Sequence, residues 1–175
     1  MHPEILSIAL FWFVTAYTPG PNNVVASYSG FNFGITKTIP HILGVTLGFT
    51  SLVIFLTIGL INVFKLFPII QISIKYLGTL FLIYLAYKIA TSTSSNEVQK
   101  ENPVKFLETF LFQYLNPKGV MVAIIVVSTY VELGENYINY ATQVALLAFL
   151  FSATSITLWT FIGKFLRKFA TNDKF

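Results

Sequence analysis

Long apolar stretches alternate with short polar ones along this chain, and the apolar stretches have the lengths of membrane-crossing helices. About 20 consecutive apolar residues span a hydrocarbon core. On that scale five stretches qualify, at residues 5–28, 40–63, 68–89, 106–130 and 139–163. They are continuous, without the short alternating segments of a transmembrane barrel. The pattern predicts an all-α, polytopic helical membrane protein. Turn and charge signals fall between the spans: Phe31-Asn32-Phe33-Gly34 with Lys37, a link from Asn62 to Pro68, the polar segment Thr91 to Pro103, and the acidic turn Glu132 to Asn139. A basic tail follows Gly163.

Two spans carry interruptions. In span one, Thr18-Pro19-Gly20-Pro21-Asn22-Asn23 breaks a run that has no charged residue from Ile5 to Thr36. Proline removes a backbone donor and leaves a carbonyl unpaired. Broken backbone at membrane depth persists only where protein or a water-filled cavity supplies partners. Span four carries a second break, Gln113-Tyr114-Leu115-Asn116-Pro117-Lys118-Gly119, close to one hundred residues later. Three spans separate the starts of the two halves, and an odd number inverts orientation. That is the pattern of a three-plus-three inverted repeat, whose paired broken helices build a midplane site in transporters. It predicts a first repeat at residues 1–90, a cytoplasmic loop at 91–105 and a second repeat at 106–175 that lacks its last helix. Either the sequence is a fragment of a six-span protein, or a five-span chain completes its bundle as a homodimer.

Composition supports the class. The 175 residues are 55% hydrophobic and 10% charged, with a mean hydropathy of +0.72. Soluble domains are about 25% charged, so this chain cannot cover its surface with charge. The net charge of +4 is unevenly placed. Lys37, Lys88, Lys100, Lys105, Lys164, Arg167, Lys168 and Lys174 follow spans one, three and five, against Lys65 and Lys75 on the other side. By the positive-inside rule the N-terminus is outside and the middle loop cytoplasmic. The leader Met1-His2-Pro3-Glu4 has no Lys or Arg, so the first stretch reads as a mature span and not as a signal peptide.

Several chemistries are disfavoured. No basic, aromatic-interleaved patch points to nucleic acid. The chain has no cysteine, and its two histidines, His2 and His41, are far apart, so no metal-ligand cluster is expected. There is neither a nucleophile elbow nor a Walker-type phosphate loop. The expectation is a protein that is not an enzyme, needs no cofactor, and runs on an ion or solute gradient.

The candidate substrate-binding residues are Pro19, Gly20, Pro21, Asn22 and Asn23 from the first break, with Gln113, Asn116, Pro117 and Lys118 from the second. A broken helix offers backbone N–H groups and the positive end of a dipole to a carboxylate. Its freed carbonyls, with the Asn and Gln amides, suit an ammonium or hydroxyl. Lys118 adds a cation at depth, where ionisable residues mark function by default. Structural readings stand beside these: the Pro-Gly-Pro as a packing kink, Lys118 snorkelling to an interface, the amides as interhelical glue. Gly44 and Gly48 predict a close helix contact. His41, beside Pro40, reads as interfacial, or as a group that titrates in transport. No carboxylate lies deep in a span, so no proton carrier stands out.

These residues resemble the LysE/RhtB family of bacterial amino-acid exporters. The carriers of the resemblance are TPGPNN at 18–23, Asn116-Pro117-Lys118, and Lys75-Tyr76-Leu77-Gly78 with Tyr84-Leu85. The Pro-Asn-Asn ending and the stretch Ala86 to Ser92 look closest to the branch exporting cysteine and O-acetylserine. The resemblance implies a six-span bacterial inner-membrane protein that exports small amino acids or derivatives, with the amino acid and membrane lipid as its partners. A small-solute channel using the same cavity, or a membrane scaffold with no transported solute, are the rival expectations.

Overall fold

The computed structural model describes residues 2–60, 103–131 and 134–170, together with isolated positions between 66 and 87. The predicted third span at 68–89, with Tyr84 and the Lys75-Tyr76-Leu77-Gly78 pattern, falls largely outside the described residues, as does most of the polar loop that follows it. Five α-helices are described: α1 (Ile5–Tyr17), α2 (Pro21–Phe55), α3 (Phe106–Leu115), α4 (Pro117–Tyr130) and α5 (Tyr137–Ala170). A wider π-type turn, Leu56–Leu60, extends α2. No strand occurs among the described residues. Pro21–Gly59 and Tyr137–Ala170 each contain a stretch long and apolar enough to cross a membrane, and α3 with α4 makes a third as a pair bent by 61°.

Helix α2 is not one rod. At Gly34 the backbone adopts φ 78°, ψ 176°, in a region that only glycine enters without strain. There the chain turns back on itself. The Asn22 carbonyl accepts a hydrogen bond from His41 Nε2 at 3.2 Å, and the Ser29 and Thr38 hydroxyls meet at 2.9 Å. In a straight helix Asn22 and His41 would be roughly 28 Å apart. The two limbs of α2 are therefore antiparallel and belong to predicted spans one and two. The connection is tighter than the sequence pattern suggests: helix continues to Phe33 and resumes at Ile35, with Pro40 inside the second limb.

The limbs then take different partners. The second limb packs parallel to α3. A methyl group at Gly44 would lie 2.7 Å from the Phe106 carbonyl, and one at Gly48 2.7 Å from the Phe110 carbonyl, so the predicted close contact is there. The first limb packs against α5 through a second pair of glycines, Gly30 over the Thr160 backbone and Gly163 over the Ser27 backbone. The core of the bundle gathers Ile8 and Trp12 from α1, Leu52, Val53 and Leu56 from the second limb, Val120, Ala123, Val126 and Val127 from α4, and Val144 and Ala148 from α5.

Charge sorts to the two ends. Lys37 lies just past the Gly34 corner, Lys105 caps the start of α3, and Lys164, Arg167 and Lys168 occupy the last turns of α5, where Arg167 donates to the Asn32 carbonyl. The opposite end holds Glu4 and Glu135 and is tied by His2, which donates from its backbone to Gln143 Oε1 and pairs through its ring with the Tyr130 carbonyl. Helix α5 continues to Ala170, seven residues past the predicted end of span five, and carries its basic residues on helical turns.

Candidate functional site

Each break has a local cause. Thr18 precedes Pro19 and adopts φ −66°, ψ 141°; Asn116 precedes Pro117 and adopts φ −73°, ψ 105°. A residue before proline is pushed out of the helical region by the ring, so both helices stop there. Pro21 and Pro117 then open the next helices, where a missing N–H costs nothing and the ring pre-sets φ. The first hydrogen bonds of the restarted helices match: Val24 to the Gly20 carbonyl and Val120 to the Asn116 carbonyl, both at 2.9 Å.

The last carbonyls of α1 need partners, and side chains supply them. The Thr15 carbonyl accepts from Thr18 Oγ1 at 3.1 Å. The Ala16 carbonyl accepts from Asn23 Nδ2 at 2.9 Å and from Ser155 Oγ at 2.7 Å. The Thr18 carbonyl accepts from Asn23 Nδ2 and from Lys118 Nζ, both at 2.8 Å. Lys118 also donates to Thr18 Oγ1 at 3.0 Å and to the Pro19 carbonyl at 3.4 Å. The second break thus reaches across and caps the first. Gly20 makes room for this: a methyl group there would sit 3.0 Å from Lys118 Cδ and Nζ.

A second bridge lies deeper. Asn22 Nδ2 donates to Gln113 Oε1 at 2.7 Å, and Gln113 Nε2 returns a bond to Asn22 Oδ1 at 3.2 Å while also bonding the Thr109 carbonyl. Gln113 is fully buried, and His41 is buried beside it, with Nδ1 3.2 Å from Thr109 Oγ1. His41 therefore braces the paired amides from inside the bundle.

Between the two bridges lies a cavity of about 70 Å³, room for about five waters at roughly 10–15 Å³ each. Gly20, Pro21, Asn22, Asn23, Asn116 and Lys118 are in its wall; Pro19, Gln113 and Pro117 are not. Trp12, Phe49 and Phe151 supply aromatic surface, and Thr15, Ser152 and Ser155 polar edges. Two wall residues have side-chain atoms with no hydrogen-bond partner among the described residues, the donor Trp12 Nε1 and the acceptor Asn116 Oδ1. Both residues are almost completely buried, Trp12 at 1% and Asn116 at 3% exposure. Buried polar groups are normally satisfied, so these two stand out among the residues of the wall.

A profile of the LysE type translocator family matches residues 13–173. The chain belongs to that family. LysE-type relatives include the cysteine/O-acetylserine efflux protein of Salmonella typhimurium, 30% identical over 166 residues that cover 93% of this chain and 84% of the relative. The protein of the same name from Escherichia coli strain K12 is 28% identical over 167 residues, with the same coverage. No solved structure matches the chain. As a LysE-type translocator it is a membrane transport protein of a family of translocators, not of enzymes.

Sequence reasoning on this translocator missed Trp12 and the α5 serines. Trp12 sits in an apolar run that gives no sign of which face it uses, and Ser155 looks like any small residue of a span. Only their convergence on the breaks distinguishes them.

Proposed function

We propose that this chain exports small amino acids or their derivatives, cysteine and O-acetylserine among them, across the bacterial inner membrane on an ion or solute gradient. The observation that carries the reading is that both helix breaks open onto one cavity whose wall includes Trp12 and Asn116, each with a buried side-chain atom that has no hydrogen-bond partner among the described residues. A free amino acid has the complementary groups. Its carboxylate suits Trp12 Nε1 and the positive N-terminal ends of α2 and α4; its ammonium suits Asn116 Oδ1 and the negative end of α1.

We read residues 1–90 and 106–175 as inverted repeats that rock against each other around this cavity. Support comes from the matched pre-proline breaks and from the packing: the second limb of α2 runs parallel to α3, as α5 runs parallel to α1 and the first α2 limb. The basic end faces the cytoplasm and the N-terminus is outside, in keeping with the sorting of Lys and Arg. Lipid covers exposed apolar side chains such as Leu6, Leu10 and Ile125.

The decisive experiment is transport of O-acetylserine and cysteine in proteoliposomes. Saturable counterflow is expected, abolished by Asn116→Leu in protein that still inserts. Flux that neither saturates nor exchanges means a channel, and wild-type counterflow in Asn116→Leu removes the site assignment. Because the chain has no native cysteine, Glu135→Cys and Lys164→Cys report orientation directly. An impermeant maleimide should label only the first in intact cells; the reverse pattern overturns the topology.

A further inference from the structure

We infer that Lys118 is a tethered stand-in for the substrate's ammonium, occupying its binding place whenever the carrier is empty. This rests on the transport reading above and adds a role in the cycle that the reading does not contain. A primary ammonium has three N–H donors. Lys118 Nζ finds three acceptors at the end of α1: the Thr18 carbonyl, Thr18 Oγ1 and the Pro19 carbonyl, at 2.8, 3.0 and 3.4 Å. The Thr18 hydroxyl spends its own proton on the Thr15 carbonyl, so its oxygen faces Lys118 as an acceptor. All three acceptors lie at the negative end of a helix dipole, where a cation is favoured. The α-ammonium of an amino acid carries the same three donors and the same charge.

The neighbouring groups indicate that the place is shared. Asn116, two residues from Lys118, is 3% exposed and lines the cavity with its Oδ1 unpaired. Nζ is committed to Thr18 and Pro19, and Asn116 Oδ1 has no hydrogen-bond partner among the described residues. Lys118 and Gly20 border the cavity whereas Thr18 and Pro19 do not, so a free ammonium entering from the cavity reaches the α1 acceptors past Gly20 once Lys118 withdraws. Lys118 is held at the end of a flexible chain and is only partly buried, so it can leave without moving a helix. Gly20 leaves room for Nζ, since a methyl group there would lie 3.0 Å from it.

The consequence concerns the return step. When substrate departs, the Thr18 carbonyl keeps Asn23 Nδ2, but the Pro19 carbonyl, the Thr18 hydroxyl oxygen and the negative end of α1 would be left without a cation unless another replaced it. Lys118 does so, and the empty carrier can reorient with its polar groups paired. In exchange, substrate fills the site in both directions and Lys118 is not needed.

The test uses the full chain in proteoliposomes, with net efflux and counterflow of O-acetylserine measured side by side. Lys118→Met keeps the length and removes the donors. Net efflux should fall about ten-fold more than counterflow, at the low end of what losing charge-assisted hydrogen bonds costs. Methylammonium, at millimolar concentration, should restore part of the net efflux in Lys118→Met; tetramethylammonium, which has no N–H, should not. N-acetylserine, the isomer of O-acetylserine without an ammonium, should exchange poorly in the wild type.

Equal loss of net efflux and counterflow, with no rescue, would overturn the inference by making Lys118 an ordinary ligand or brace. Wild-type net efflux in Lys118→Met would overturn it by giving Lys118 no role. Brisk exchange of N-acetylserine removes the ammonium place itself. Absence of saturable exchange in the wild type defeats the transport reading instead. If Lys118→Met is not monodisperse, Gly20→Ala crowds the same Nζ and should show the same split; an unsplit loss there counts against the inference equally.

Discussion

The amide pair Asn22–Gln113 joins the two broken spans, and its asymmetry of burial gives a quantitative test. Gln113 is fully buried, whereas Asn22 is half-buried and borders the cavity. Gln113→Leu frees the Asn22 amide toward a space that water can enter, so the cost should be near the low end of an unpaired polar group, about 1 kcal/mol. Asn22→Leu strands Gln113 Oε1 in the interior. Gln113 Nε2 keeps the Thr109 carbonyl, but Oε1 loses the 2.7 Å bond from Asn22. That should cost about 2 kcal/mol, in the middle of the same range.

Removing both amides removes the stranded groups, so the double variant should cost no more than Asn22→Leu alone. The implied coupling is about 1 kcal/mol, within the range found for interhelical hydrogen bonds in membranes. Thermal loss of the monodisperse protein in detergent reads it out, with shifts of roughly 2–4 °C per kcal/mol for a chain of this size. Additive costs in the double-mutant cycle, or a larger cost for Gln113→Leu than for Asn22→Leu, would refute the pairing.

Further perturbations separate support from function. Asn23→Leu takes one of two hydrogen bonds from each of the Ala16 and Thr18 carbonyls, which keep Ser155 Oγ and Lys118 Nζ, and should lose about 1–3 kcal/mol of stability for the two bonds along with transport. Asn116→Leu removes an acceptor that has no partner among the described residues, so transport should vanish with little change in melting temperature; a large destabilisation would show that Asn116 is structural. Gly48→Val places atoms against the Phe110 backbone, which cannot step aside, and should cost about 1–3 kcal/mol by overpacking, measured by the same thermal assay. Gly34→Val forces a branched residue into a region of positive φ and extended ψ that only glycine enters readily, at about 1–3 kcal/mol by the same thermal assay.

The sequence was most informative where chemistry is local. A proline dictates the conformation of the residue before it, so both interruptions, Thr18-Pro19 and Asn116-Pro117, were legible without coordinates. The Gly44/Gly48 spacing announced a close helix contact, and the structure puts the α3 backbone there. The Gly34 corner was harder to place, since a one-residue reversal leaves almost no polar signature and Pro40 suggested a later start to the second span. Gly30 and Gly163, which seat the first α2 limb on α5, are far apart in the chain and form no motif.

By itself the sequence determined the class, the broken spans and the residue types at the breaks, because apolar length and proline geometry act over a few neighbours. Tertiary structure alone decided what those residues do. It locked Asn22 onto Gln113 and Asn23 onto the end of α1, left Asn116 Oδ1 and Trp12 Nε1, on two residues of one cavity wall, without partners among the described residues, and set Lys118 on the carbonyls of Thr18 and Pro19. Whether a buried polar group is a brace or a ligand depends on which partners reach it. Apart from Asn23, whose acceptors lie five and seven residues back, those partners come from spans about ninety to one hundred and forty residues away.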